Sequence, residues 1–256
     1  MHFSIITALN ERTVDMCKTL RESILNQKGI GEGVSWFVQY DGPANPEMRK
    51  KLEMELEIAS LEVHGFQAGI SATRNRALDR ALAANPETWV TPVDADDILP
   101  ADALRIRKEA IGDSTDRWLT TNGSLFEDGN VKNCEQPFEP HIEAGEWDAQ
   151  KLLERFSEDQ FVHLFGNTLT APGEMIRSVG GWPAVLVAED LALLVELCRH
   201  GHHAIISDHD TYLLSFDGGH SDNDCYMQMF AKMLPSLIDS ALHYGSARMS
   251  QRDAII

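Results

Sequence analysis

Positive charge is scarce in this chain. Lysine and arginine number 22 against 40 aspartates and glutamates, which leaves a formal charge of −18. Such a surface repels phosphate backbones, so nucleic acid and anionic membranes are excluded as expected partners. A phosphate-bearing small molecule stays possible where a divalent cation screens the local field. Cysteine is equally sparse: Cys17, Cys134, Cys198 and Cys225 form no Cys-x-x-Cys pair, and two of them fall within helical apolar patterns. That spacing supports neither a zinc site nor a disulfide framework, and it suits the reduced thiols of a cytosolic protein. No run of about 18 or more apolar residues occurs, so no transmembrane segment is expected. The N-terminus shows no basic stretch followed by an apolar one, so the expectation is a soluble cytoplasmic protein. The first strand-like segment is not followed by G-x-G-x-x-G, which removes the basis for a dinucleotide site. Repeats, low-complexity tracts and long linkers are also missing.

What is present is an ordinary globular composition, with 43% apolar residues over 256 positions. That length buries a sizeable core as one large α/β domain, or one domain with an annex. Residues 2–8 are short, apolar and β-branched, and read as a buried strand. Asn10 then reads as the cap of a helix carrying Val14, Cys17, Leu20 and Ile24 on one face. A second strand, 34–38, ends at Gln39-Tyr40-Asp41-Gly42-Pro43. Asn45-Pro46 opens a helix, since Asn accepts from free amides and Pro fits the first helical position. A third strand, 61–64, leads to Gly69 and a helix from Ser71 that stops before Asn85-Pro86. A fourth strand follows at 89–93. Strand and helix alternating with short connections predict a parallel sheet covered by helices on both faces.

The fourth strand runs into V-T-P-V-D-A-D-D-I-L-P, residues 90–100. Three carboxylates, Asp94, Asp96 and Asp97, stand where an α/β sheet normally binds its ligand. An acidic turn capping the next helix is the competing reading. The second half is less regular. It reads as a strand at 117–126, a hairpin turn at Asp128-Gly129, an irregular loop at 135–145 and short helices at 147–156 and 173–179. A Gly180-Gly181-Trp182-Pro183 turn comes next, then an apolar helix headed by Glu189-Asp190. Strands at 203–207 and 211–216 and a terminal helix at 222–244 complete the chain.

These pieces occur in an order that resembles the family 2 inverting glycosyltransferases of the GT-A fold. The landmarks are F-S-I-I-T-A-L-N-E-R, V-Q-Y-D-G-P-A-N, G-I-S-A-T-R-N-R-A-L and V-D-A-D-D-I-L-P. The G-N-T-L-T-A-P-G block, V-G-G-W-P, A-E-D-L-A-L-L-V-E-L-C-R-H-G and a late G-G-H follow. The resemblance implies a Rossmann-like, mostly parallel mixed sheet with helices on both faces and a smaller acceptor-binding region. Residues 1–100 would bind the nucleotide sugar, 101–221 the acceptor, and 222–256 form a terminal helix and tail within a single domain.

It also implies roles for particular residues. Asp96 would contact a Mn²⁺ or Mg²⁺ ion directly, with Asp94 beside it through ribose or water, and His220 as a late ligand. Metal held by one or two carboxylates neutralises a departing diphosphate. Thr7 and Leu9 would lie along base and ribose, Glu11 near the ribose, and Asp41 would accept from the base, favouring uridine. The family pattern has two acids before the glycine, whereas this chain has Tyr40-Asp41, and Tyr40 could simply pack. Arg74 could meet the diphosphate, brace the aspartate loop, or be a solvated surface residue. Asp190 would be the general base and Glu189 its acceptor-orienting partner, although acids at a helix start also simply favour the macrodipole. Trp182 could stack on an acceptor sugar or pack internally, and Asp97 reads as a turn cap.

The implied activity is metal-dependent, inverting transfer of a hexose or N-acetylhexosamine from a UDP-sugar. The acceptor would be a glycan, a lipid-linked molecule or a small molecule, and a homodimer is compatible with the Met- and Leu-rich terminal stripe. A non-catalytic nucleotide-sugar or glycan binder and a sugar nucleotidyltransferase are the alternatives. The second expects glycines that Ala8-Leu9-Asn10-Glu11-Arg12 does not have.

Overall fold

The computed structural model describes residues 1–31, 33–127, 130–132, 142–185, 187–215 and 233–242. Its first layer is a five-stranded sheet. Strands β1 (Phe3–Leu9), β2 (Val34–Tyr40), β3 (Ser60–Val63), β4 (Trp89–Pro92) and β8 (Ala171–Pro172) lie in the order β3-β2-β1-β4-β8. All pairings among the first four are parallel, and β8 joins β4 antiparallel. The sequence F-S-I-I-T-A-L explains the central position of β1: six of its seven residues are buried, as a strand covered on both faces requires.

Side-chain alternation along β1 divides the core. Phe3, Ile5 and Leu9 join one apolar cluster with Val14, Cys17, Leu20 and Trp36, beneath helix α1 (Cys17–Leu25). Ile6 points the other way, toward Ala77, Leu78 and Leu82 of helix α3 (Ile70–Ala84). Each Val, Leu, Ile or Phe among them, fully buried, contributes roughly 1.5–3 kcal/mol. Helix α2 (Pro46–Glu55) starts as its sequence predicts, with Asn45 accepting from the Met48 amide at 2.8 Å and Pro46 at the first position. Asn10 does not cap a helix. Its side chain accepts from Arg12 N at 2.9 Å in a tight turn, and a 3₁₀ turn at Val14–Met16 precedes α1.

Helix α4 (Ala103–Ile111) leads into a second sheet of order β6-β5-β9-β7. Its strands are β5 (Arg117–Glu127), β6 (Asn130–Lys132), β7 (Gly145–Trp147) and β9 (His203–Ser215). The two strands expected at 203–207 and 211–216 are one. The β5–β9 register shifts between Thr120 and Ser124, and the extra residues lie on β9, which accommodates the polar Asp208-His209-Asp210 step. Asn122 then donates to the Asp208 carbonyl at 3.1 Å and Ser124 to Asp210 at 2.8 Å. The helix expected from Trp147 starts two residues later. Gly145–Trp147 is strand, and Asp148 caps helix α5 (Ala149–Asp159) by accepting from Gln150 N and Lys151 N.

Helices α6 (Gly173–Ser178) and α7 (Glu189–Arg199) complete the named elements, and residues 233–242 are also helical. The expected turn at Asp128-Gly129 and most of the 135–145 loop lie outside the described residues, as do His220 and most of the terminal helix. No helix among the described residues is long and apolar enough to cross a membrane.

Candidate functional site

The C-terminal ends of β1, β2 and β4 lie side by side. Leu9 pairs with Tyr40, and the Val93 amide past β4 donates to Ile6 O at 3.0 Å. The three aspartates therefore emerge at the edge where parallel α/β sheets bind ligands. The segment that follows them is gripped by α1. Ser23 Oγ accepts from Leu99 N at 3.2 Å, and Gln27 donates to Pro100 O at 2.8 Å and accepts from Leu104 N at 3.2 Å.

The site is assembled around Arg74. Its side chain is 2% exposed, and the two ends of its guanidinium serve different carboxylates. Nη2 donates to Asp94 Oδ1 at 2.5 Å, and Nη1 to Glu189 Oε1 at 2.6 Å. Burial opposes the charge, but Asp94, Glu189 and Asp190 together outweigh it and raise the arginine above its ordinary pKa. Arg74 is thus neither a solvated surface residue nor a cation with a spare face: it braces the aspartate loop against the head of α7. The other Asp94 oxygen accepts from Asn167 Nδ2 at 3.2 Å.

Glu189 and Asp190 stand in the first turn of α7, behind Ala188, which is held in the left-handed region at φ 55°. A non-glycine residue there is strained, and it turns the chain sharply into the helix. Asp190 lies deep among protein atoms while keeping part of its surface open. Burial, and then the neighbouring Glu189 charge, push its carboxyl up to about 6 against the opposing pull of Arg74. Space for it exists because residue 166 is glycine. A Cβ there would meet Asp190 Oδ2. The 3₁₀ turn Gly166–Thr168 therefore touches both carboxylate groups, giving room to Asp190 and a hydrogen bond to Asp94.

Several expected roles change. Thr7 is wholly buried; its hydroxyl donates to Val93 O at 2.9 Å and accepts from Trp36 Nε1 at 3.0 Å. Leu9 is 1% exposed within the core. Both side chains share the inward face of β1 with Phe3 and Ile5, so neither side chain is open to a ligand, and Ala8 faces the other way. Asp41 places Oδ1 on the Ala68 amide at 2.6 Å and Oδ2 on the Gly69 amide at 3.1 Å, so it organises the entry to α3. Tyr40 packs in the core, where burial and then Glu11 raise its phenol pKa. Exposed Glu11 thus stands close to the end of β2.

Trp182 is 2% exposed and cannot stack on a sugar. Its backbone forms a two-point pair with the Asn75 side chain, at 2.8 and 3.0 Å. Gly181 is required beside it, because a Cβ there would lie 2.1 Å from Asn75 Oδ1. Asp97 caps no helix. It is buried, accepts from Tyr212 Oη at 2.7 Å and Ser215 N at 2.8 Å, and burial followed by Asp94 and Asp96 raises its carboxyl well above the usual range. Asn167, Gly166 and Tyr212 were not singled out from sequence. The first two lie in a recognisable Gly-Asn-Thr block, whereas nothing around Tyr212 marks it.

Among the described residues no set of three or more His, Cys, Asp or Glu side chains converges as a metal cage. Asp94 is already bound by Arg74 and Asn167, while Asp96 is half-buried near Cys17, whose thiol is pushed up to about 12 by burial and then by Asp96 and Glu55. One carboxylate beside a second, with phosphate oxygens and water completing the shell, suits Mg²⁺ or Mn²⁺. The donor set fits a cation that arrives with a diphosphate.

No family model matches the chain. No curated protein sequence matches it either. Solved structures do resemble it. A structure of S. aureus TarS 1-349 and one of it in complex with UDP-GlcNAc superpose at TM-scores of 0.62 and 0.64 with 17% and 18% identity. They cover 84% and 86% of this chain, which spans 60% of their length. The mannosyltransferase PcManGT from Pyrobaculum calidifontis, in complex with GDP-Man and Mn²⁺, matches over 99% of this chain and 75% of its own at a TM-score of 0.60 and 14% identity. At such identities the likeness is one of architecture, and the chain has the GT-A fold of these glycosyltransferases.

Proposed function

We propose that the protein is a metal-dependent, inverting glycosyltransferase of the family 2 type, moving a hexose or N-acetylhexosamine from a nucleotide diphosphate sugar to an acceptor hydroxyl. One observation carries the reading: a single buried arginine ties the aspartate that ends β4 to the acidic head of α7. In this reading the tie would hold a leaving-group site and a proton acceptor in one relative position, as an in-line displacement requires.

Asp96, with Asp94 beside it, would hold Mn²⁺ or Mg²⁺, whose charge supplies neutralisation of the leaving diphosphate. His220, outside the described residues, is the proposed further ligand. Asp190 takes the acceptor proton. A carboxyl near 6 is ionised at neutral pH yet basic enough to share a proton in the transition state. Glu189, held by Arg74, fixes the first turn of α7 and orients the acceptor. Arg74 and Asn167 hold Asp94 so that the carboxylate keeps one geometry. UDP is the first nucleotide to test, since structures with this fold carry UDP-GlcNAc or UDP, and GDP is the second, since another carries GDP-Man. Glu11 and the Asp41-organised loop at 68–69 border the nucleotide end in this reading. Residues 1–100 serve the donor and 101–221 the acceptor.

The test is turnover of a UDP- and GDP-sugar panel with Mn²⁺, with the anomeric configuration of the product read by NMR. Inverted product, lost in Asp190→Asn, is expected. Retained configuration would refute inversion. Nucleotide binding without any transfer or donor hydrolysis would establish the non-catalytic binder instead.

A further inference from the structure

The carboxylate loop is held from behind by the second sheet, through groups that take no part in the mechanism above. Tyr212 is completely buried in β9, and its hydroxyl stands between two members of the loop. It accepts from the Asp94 amide at 3.1 Å and donates to Asp97 Oδ2 at 2.7 Å. The other Asp97 oxygen accepts from Ser215 N, the last residue of β9, at 2.8 Å. Between these bonds, Ile98 and Leu213 exchange two backbone hydrogen bonds at 2.9 and 3.0 Å. The loop from Asp94 to Ile98 is therefore fixed as an added rung on β9.

We infer that Tyr212 and Asp97 form a latch by which the second sheet positions the Asp94–Asp96 carboxylates for a cation-bound nucleotide diphosphate. The inference rests on the donor-site reading proposed above. Its physical basis is the cost of freeing either partner. Without the phenol oxygen, the Asp94 amide and Asp97 Oδ2 each lose a partner in a buried place, and the loop gains alternative conformations. Asp94 then no longer meets Arg74 and Asn167 in one arrangement. Tyr212 is a positioning residue, since it acts through the loop backbone and touches neither substrate nor cation.

The experiment uses Tyr212→Phe, with Asp97→Asn as the second variant and Ser4→Ala as control. The control also deletes a buried hydroxyl, the one facing Thr88 at 2.8 Å, but lies at the far end of β1. Hydrogen exchange of the peptide spanning 94–99 is measured without ligand, relative to peptides of β1 and β2. UDP and GDP binding with Mn²⁺ is then measured by calorimetry. In Tyr212→Phe, exchange at 94–99 is expected to rise while β1 and β2 stay protected, and nucleotide affinity is expected to fall about 10- to 100-fold, the usual consequence of deleting an outer-shell partner. Ser4→Ala should change neither.

Unchanged exchange and unchanged affinity in Tyr212→Phe would overturn the latch. If that variant does not fold, Asp97→Asn is read by the same two criteria, with the same outcomes for and against. If the wild type binds no nucleotide with Mn²⁺, the donor-site reading fails. The exchange comparison then still decides whether the latch holds the loop.

Discussion

Arg74 and Arg107 are both buried, one between the two acidic clusters and one in the seam between the sheets, and their surroundings are opposite. Arg74 meets two carboxylates, and its pKa is raised despite burial. Arg107 meets threonines. Its Nε donates to Thr211 Oγ1 at 2.9 Å, Nη1 to Thr170 Oγ1 at 3.3 Å and also to Thr91 Oγ1, and Nη2 to Thr211 O at 3.3 Å. Burial lowers its pKa to about 10, with only the nearby Tyr212 acting against the change. Hydroxyls solvate the seam cation and join β4 to β9. Counter-charges bind Arg74, which joins the two acidic clusters. One arginine ties sheet to sheet, and the other ties the aspartate loop to the acidic head of α7.

The sharpest way to break that contrast is to delete each cation. Arg74→Ala leaves Asp94 and Glu189 without their partner, and a loss of about 3–5 kcal/mol in unfolding free energy is expected from urea denaturation. Nucleotide binding should be lost with it. Arg74→Lys should not restore binding, because one ammonium cannot reproduce a guanidinium that reaches two separate carboxylates. Arg107→Ala should cost about 3 kcal/mol through a cavity and unsatisfied hydroxyls. Here Arg107→Met should recover part of the loss, since apolar replacement of a buried charge is often tolerated. The same Met substitution at Arg74 should recover nothing. Equal behaviour of the two Met variants would erase the distinction.

A smaller effect separates the acid at the head of α7 from ordinary surface carboxylates. Asp190 is raised to about 6 in the folded protein, facing Glu189, Arg74 and Asp94. The folded state therefore binds its proton more readily than the unfolded chain. That contribution to stability is fullest below about pH 4, declines as pH rises to about 6, and is level above. Asp190→Asn removes the penalty, so a Tm gain of about 2–6 °C is expected at pH 8 and little or none at pH 4. Transfer rate in the wild type should rise over the same interval as the base ionises. A Tm difference independent of pH would show that Asp190 titrates normally.

The parallel strands β1 to β4 of the first sheet are legible in the sequence because their signals are local, whereas nothing local marks the two-residue β8. Apolar β-branched runs, the Asn45 cap and the aspartates after β4 each depend on neighbours a few positions away, and all appear within two residues of where they were expected. The side chains of Thr7 and Leu9 are buried because a strand alternates faces: sharing parity with Phe3 and Ile5 sends both inward. Asp208-His209-Asp210 resembled a break, yet Asn122 and Ser124 on the neighbouring strand supply partners that keep β9 continuous. The role of Arg74 was undecidable from sequence, since its partner Glu189 lies 115 positions away. Tyr212 is invisible for the same reason, with Asp97 also 115 positions distant. Pairing across the fold, rather than local pattern, decides what these side chains do.

The central claim is that the carboxylates after β4 take up a nucleotide diphosphate together with a divalent cation. Titration calorimetry of UDP and GDP, with and without Mn²⁺, on the wild type and on Asp96→Ala tests it most directly. Binding of at least one nucleotide that requires Mn²⁺ and weakens at least about tenfold in Asp96→Ala is the expected result. Binding that ignores the cation, or that survives unchanged in Asp96→Ala, would contradict it.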